Sequence, residues 1–117
     1  MSDLTDRYLA AWNATDPAAR KAAVEDAFTE TATYVDPLVD VFGHDQLEAT
    51  IEAVQGQFPG FVFTLLDEPD SHHDVVRFRW GLGPAGQEPL VEGFDVATLD
   101  GRRIATVTGF LDKVPAA

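Results

Sequence analysis

At Phe61 the spacing of apolar residues in this chain changes, and that change limits the available folds more than any other feature. Before Phe61, apolar side chains recur at helical spacing; after it, each apolar segment is short, rich in strand formers and bounded by turn residues. A period of 3.6 keeps one helical face on a core and a period of two keeps one strand face there, so neither pattern suits the other element. Helices first and strands after, with no alternation of the βαβ kind, predict an α+β domain whose helices cover one side of a curved, mainly antiparallel sheet. With 117 residues the chain has the size of one domain, 1–117.

Leu4, Tyr8, Ala11 and Trp12 fall on one face of a first helix, with Ser2 placed to cap it. Asp16-Pro17 reads as a cap followed by proline at the first helical position, opening a second helix that stops near Phe28. Thr31 to Val35 form a short strand that ends at Asp36-Pro37, where proline removes a ladder donor. Leu47, Ile51, Val54 and Phe58 mark a third helix ending before Pro59-Gly60. Strands are expected at 61–66, 74–82, 89–99 and 102–111, with Asp100-Gly101 as a tight hairpin and Gly81 to Gly86 as a looser one.

Charge and composition remove several functional classes. The chain has 20 acidic against 8 basic side chains, a formal charge of −12, which argues against nucleic acid, anionic membrane surfaces and phosphate-rich substrates as partners. It has no cysteine, so thiolate nucleophiles, disulfides and iron–sulfur ligation are absent. His72 and His73 are adjacent and would point to opposite faces of a strand, and no metal-ligand spacing occurs, so no metal and no cofactor are expected. No run approaches the roughly 20 apolar residues that cross a bilayer, and the N-terminus lacks the basic, then apolar pattern of a secretory signal. A cytoplasmic location is the expectation.

Several residues carry candidate chemistry. Asp36 follows an apolar strand and precedes a proline, which places a carboxylate at a bend where partial burial would raise its pKa; the same dipeptide is also an ordinary turn opener. Asp95 lies within an apolar strand, where a charge must be paired, neutral or exposed; if the strand alternates, Asp95 and Ala97 share one face and Glu92, Phe94 and Val96 the other, with Gly93 a candidate bulge. On the strand before it, Val76, Phe78, Trp80 and Leu82 point one way and Arg77 and Arg79 the other, within reach of Glu92. Tyr8 and Trp12 form an aromatic stripe that core packing alone would explain, although a buried tyrosine needs a partner for its hydroxyl. His73 is a candidate proton carrier at the cavity.

The run Arg7-Tyr8-Leu9-Ala10-Ala11-Trp12-Asn13, then Tyr34-Val35-Asp36-Pro37, Gly93-Phe94-Asp95-Val96 and Gly109-Phe110, resembles the nuclear transport factor 2-like superfamily. Within it the chain is similar to the SnoaL-like branch of polyketide cyclases, and three positions match the ketosteroid isomerases. The resemblance implies a cone: three helices on a strongly bent sheet around a ligand cavity. It places Tyr8 at an oxyanion-hole tyrosine, Asp36 at a proton-shuttling base and Asp95 at a protonated aspartic acid, an arrangement that serves as a worked example of pKa control. Ile51 stands where that family keeps a supporting tyrosine, and Trp12 and Trp80 stand where it has smaller side chains, which implies a cavity smaller than a steroid.

Two functions follow as expectations. One is a cofactor-independent isomerase, cyclase or lyase acting on a small hydrophobic or aromatic carbonyl compound, with Asp36 as base and Tyr8 with protonated Asp95 as enolate stabilisers. The other is a non-catalytic ligand-binding or dimerisation module on the same fold. They divide on whether Asp36 and Tyr8 converge on one cavity, expected to be lined also by Trp12, Phe78, Trp80, Leu82 and Leu111. A homodimer is expected, with Phe94, Val96 and Phe110 on the outer sheet face.

Overall fold

The computed structural model describes residues 2–115, apart from the Ser2 side chain. The described residues form helices α1 (Ser2–Asn13), α2 (Pro17–Ala27) and α3 (Gly43–Gln57) and strands β1 (Phe28–Val35), β2 (Asp40–Phe42), β3 (Phe61–Leu65), β4 (Asp70–His72), β5 (Val75–Pro84), β6 (Val91–Asp100) and β7 (Arg103–Lys113). The strands make one sheet in the order β2-β1-β7-β6-β5-β3, with β4 paired to β5 beside β3. β1 runs parallel to β7 while every other pairing is antiparallel, so the sheet is mixed.

Local chemistry sets the helix ends. Asp16 accepts a hydrogen bond from the Ala19 backbone N–H at 2.9 Å and Pro17 takes the first helical position, as its sequence implies. α1 begins at Ser2 itself, and the expected cap role of that side chain lies outside the described residues. At α3 the cap comes from inside the helix: Gln46 Oε1 accepts from the Phe42 backbone N–H at 2.8 Å, because Phe42 has no side-chain acceptor of its own.

The core lies between the helices and one face of the sheet. Leu4, Tyr8, Ala11 and Trp12 of α1 and Leu47 and Ile51 of α3 are buried against Val76, Phe78, Trp80 and Leu82 of β5 and Ala97, Ile104 and Val107 beyond. β6 alternates as its sequence suggests, with Asp95 and Ala97 inward and Glu92, Phe94 and Val96 outward. The β6–β7 register does shift between Glu92 and Gly93, but the extra residue is Asp112 on β7, so the bulge lies on β7 and the alternation of β6 runs unbroken through Gly93.

Some expectations shift. β5 continues through Gly81 and Gly83 to Pro84. Glycine is needed within that strand because the loop carrying Glu88 and Pro89 crosses it so closely that a Cβ at Gly83 would lie 2.9 Å from the Glu88 carbonyl oxygen. The last hairpin turns one residue later than predicted, at Gly101-Arg102, since Asp100 still pairs with Arg103 and Gly101 supplies φ +65°. β2 and β4 are three-residue strands, and β4 is wholly exposed and polar, so neither carries an apolar period that would reveal it.

Candidate functional site

β1 and β6 flank β7, and that order builds the site. Val35 pairs with Thr108 and Asp95 with Gly109, so Asp36, one residue past the end of β1, and Asp95 approach Gly109 from opposite sides. A Cβ at Gly109 would lie 2.6 Å from Asp95 Oδ1, so a larger residue would push the Asp95 carboxyl from its place, while Asp36 Cβ, at 3.4 Å, would be in ordinary contact. Tyr34 precedes Asp36 by two residues and shares its face, as strand alternation requires.

The two carboxylates have different surroundings. Asp36 is half-buried at the bend: its Oδ1 accepts from the backbone N–H of Leu38 at 2.8 Å and of Val39 at 3.0 Å, and its Oδ2 accepts from the Tyr34 hydroxyl at 2.7 Å. Three donors therefore fix the direction in which this carboxylate points. Asp95 is buried, and its Oδ2 accepts from the Tyr8 hydroxyl at 2.6 Å while Oδ1 has no partner among the described residues. Burial pushes the Asp95 pKa up to about 6, with the Asp36 charge adding to it. The Tyr8 bond and the nearby Trp80 indole act the other way, but the indole N–H stays outside hydrogen-bonding geometry and is itself unpaired. Burial, and then the Asp95 charge, raise the Tyr8 phenol well above its ordinary value, so Tyr8 keeps its proton.

Among the described residues, Asp95 has no ion-pair partner. Arg79 binds Asp67 and, at 3.1 Å, Glu92, while Arg77 reaches Asp70 at 3.3 Å, all on the outer face. The pairing of Arg79 with Glu92 is the one that strand alternation suggests. The expectation that Asp95 is protonated near pH 7 needs correction: a value of about 6 leaves it mostly ionised there and neutral only in more acidic solution.

Tyr8, Tyr34, Asp36 and Asp95 all line one cavity of about 210 Å³. This is below the roughly 300–1,000 Å³ typical of drug-sized pockets and suits a small ligand. Trp12, Trp80, Leu82 and Leu111 also line it, joined by Phe58 and Phe63. Phe78 does not: it lies behind Tyr8, ring centroids 5.1 Å apart, and serves as packing. His73 is also misplaced by the sequence reading, for it sits exposed in the β4–β5 turn with φ 51° against His72, because β4 forms a hairpin there. His44 instead meets the Phe28 carbonyl oxygen at 3.1 Å, so no histidine reaches the pocket.

Two features escape the sequence reading. Tyr34 is the tyrosine that supports Asp36, and the Tyr-x-Asp spacing on a strand was its available signal. Arg20 is buried under the α1–α2 turn, where it donates to the carbonyls of Ala14 and Thr15 at 3.2 and 3.3 Å and to Gln55 Oε1 at 2.7 Å. Gln55 in turn donates to the Trp12 and Ala14 carbonyls, both at 2.8 Å, which holds the Trp12 end of α1 over the pocket. Among the described residues, no group of three or more His, Cys, Asp or Glu side chains could hold a metal ion.

The sequence profile of the SnoaL-like domain matches residues 5–107, most of the chain. The chain belongs to the SnoaL-like family, within the nuclear transport factor 2-like superfamily. A crystal structure of a SnoaL-like family protein from Agrobacterium tumefaciens, provisionally described as an isomerase, is 39% identical, with 95% of this chain and 96% of that one covered and a TM-score of 0.89. More distant SnoaL-like folds agree in backbone alone. A protein from Sinorhizobium meliloti, provisionally a polyketide cyclase, is 19% identical with TM-score 0.72 over 93% of this chain and 94% of that one. A protein with a ketosteroid isomerase-like fold from Catenulispora acidiphila, solved in complex with trimethylamine, is 20% identical with TM-score 0.72 over 91% of this chain and 82% of that one. Among curated proteins, none matches. No helix among the described residues is long and apolar enough to cross a membrane.

Proposed function

We propose that this SnoaL-like protein is a cofactor-independent isomerase or cyclase that moves a proton α to the carbonyl of a small hydrophobic substrate. The observation that carries this reading is convergence: Asp36 and the Tyr8–Asp95 pair, from three separate elements, line one small cavity. Asp36 takes the α-proton, and the enolate oxygen that forms needs a donor beside it. While Asp95 is ionised, the Tyr8 hydroxyl is engaged with it. When Asp95 carries its proton it donates to the Tyr8 oxygen, and the Tyr8 hydroxyl is released toward the substrate. Asp36 then returns its proton to a different carbon, completing an isomerisation without net consumption of acid or base.

The test is deuterium incorporation at the α-carbon of small cyclic ketones in D2O, followed by proton NMR. Wild-type protein should speed exchange over buffer, and Asp36→Asn should lose about 10²–10⁴-fold of that acceleration, the range of a positioned base. Acceleration that survives Asp36→Asn unchanged would refute the assignment of the base. We also propose that the outer sheet face pairs with a second copy, since Phe94 and Phe110 adjoin there at 6.3 Å and Phe110 is 52% exposed.

A further inference from the structure

The pocket contains six aromatic rings and two carboxylates and, among the described residues, no basic side chain. The rings form a connected wall: Trp12 stands 5.4 Å from Tyr34 and 5.3 Å from Phe63, Phe63 stands 5.5 Å from Trp80, and Tyr8 joins at 6.3 Å from Trp12. Aromatic faces are negative and attract cations, most strongly where water is excluded. Asp36 adds a fixed negative charge at the rim, and Asp95 adds a buried carboxyl whose Oδ1 is without a partner among the described residues. The chain's cations do not compensate, since Arg77 and Arg79 serve the outer face and Arg20 serves the α1–α2 turn. What this pocket lacks is a positive charge.

An anion entering here would meet two like charges and the negative ring faces. A primary ammonium would bring three strong N–H donors, but Asp36 is already committed to three donors of its own chain. An ammonium with three or four alkyl groups makes one such demand or none, is weakly hydrated and places apolar methyls against the rings. We propose that the pocket takes a ligand bearing a trialkyl or quaternary ammonium group, held against Trp12, Tyr34, Phe63 and Trp80 with Asp36 as counter-ion. This rests on reading the cavity as a substrate site and narrows its substrate class to carbonyl compounds that carry such a cationic nitrogen.

The test compares choline with 3,3-dimethylbutan-1-ol, which has the same shape without the charge. Both tryptophans of the chain line the pocket, so fluorescence titration at pH 7.5, with calorimetry as a second readout, reports binding directly. Choline should bind at least about tenfold more tightly than the neutral alcohol. Asp36→Asn should remove most of that preference. Equal binding, tighter binding of the alcohol, or no binding of either would overturn the inference. Binding of the alcohol alone would leave the carbonyl chemistry intact, whereas choline binding without any α-deuteration, either in neutral ketones or in ketones bearing a trimethylammonium group, would defeat that chemistry and spare the cation site.

Discussion

Asp95 is where burial and chemistry meet most directly. Its folded pKa of about 6 lies above the ordinary 3.8, so the folded state holds this proton more tightly than the unfolded one. The stabilisation is fully present below pH 3.8 and is lost as pH rises through about 6, an unfavourable change of about 3 kcal/mol by pH 8. Asp95→Asn keeps an acceptor for Tyr8 and cannot ionise. Measured by denaturant unfolding at pH 4 and pH 8, its stability relative to wild type should improve by about 2 kcal/mol between the two, since pH 4 is already close to the unfolded value of 3.8. Parallel curves would show that Asp95 does not titrate in this range. At the same scale, Asp36 and Tyr8 drew attention from residue type and neighbours, because a carboxylate at a strand end and a buried hydroxyl both call for an explanation, but the first is equally a turn opener and the second core packing, and their proposed roles come from the family resemblance. Tyr34 and Arg20 were not: their partners lie on surfaces that exist only once β1 bends and α2 packs on α1.

The elements of the second half owe their placement to glycine. Gly93 faces Trp80 across the β5–β6 ladder, and a Cβ there would run into the indole. Gly93→Ala should therefore displace Trp80 and cost about 1–3 kcal/mol, the usual penalty of overpacking, read by thermal unfolding together with a change in tryptophan fluorescence. Unchanged stability and emission would show that Trp80 is free to move. The inward and outward faces of β5 and β6 could be read from a period of two, since each strand buries one side only. The short strands β2 and β4 could not, as a strand of three residues has no period and β4 buries nothing. The place of His73 failed for the same reason: without β4 in view, the turn that exposes it looked like the start of a strand.

At the scale of the whole molecule, the change of period at Phe61 foretold an α+β domain, and the family match agrees with that class. What periodicity could not supply was the parallel pairing of β1 with β7, a contact between the two ends of the sequence. That pairing is what brings Asp36 beside Gly109 and hence to Asp95. The opposite face of the sheet leaves Phe110 exposed beside Phe94, and sedimentation equilibrium should find twice the chain mass of 12.7 kDa at micromolar concentration, with Phe110→Glu shifting it toward monomer. A monomer in wild type would remove the dimer. The shared pocket itself is tested most directly by carbon-13 NMR titration of the Asp95 carboxyl, in wild type and in Asp36→Asn. A midpoint near pH 6 in wild type that falls when the Asp36 charge is removed would show two carboxylates acting in one site. A midpoint near 3.8, or one indifferent to Asp36→Asn, would contradict it.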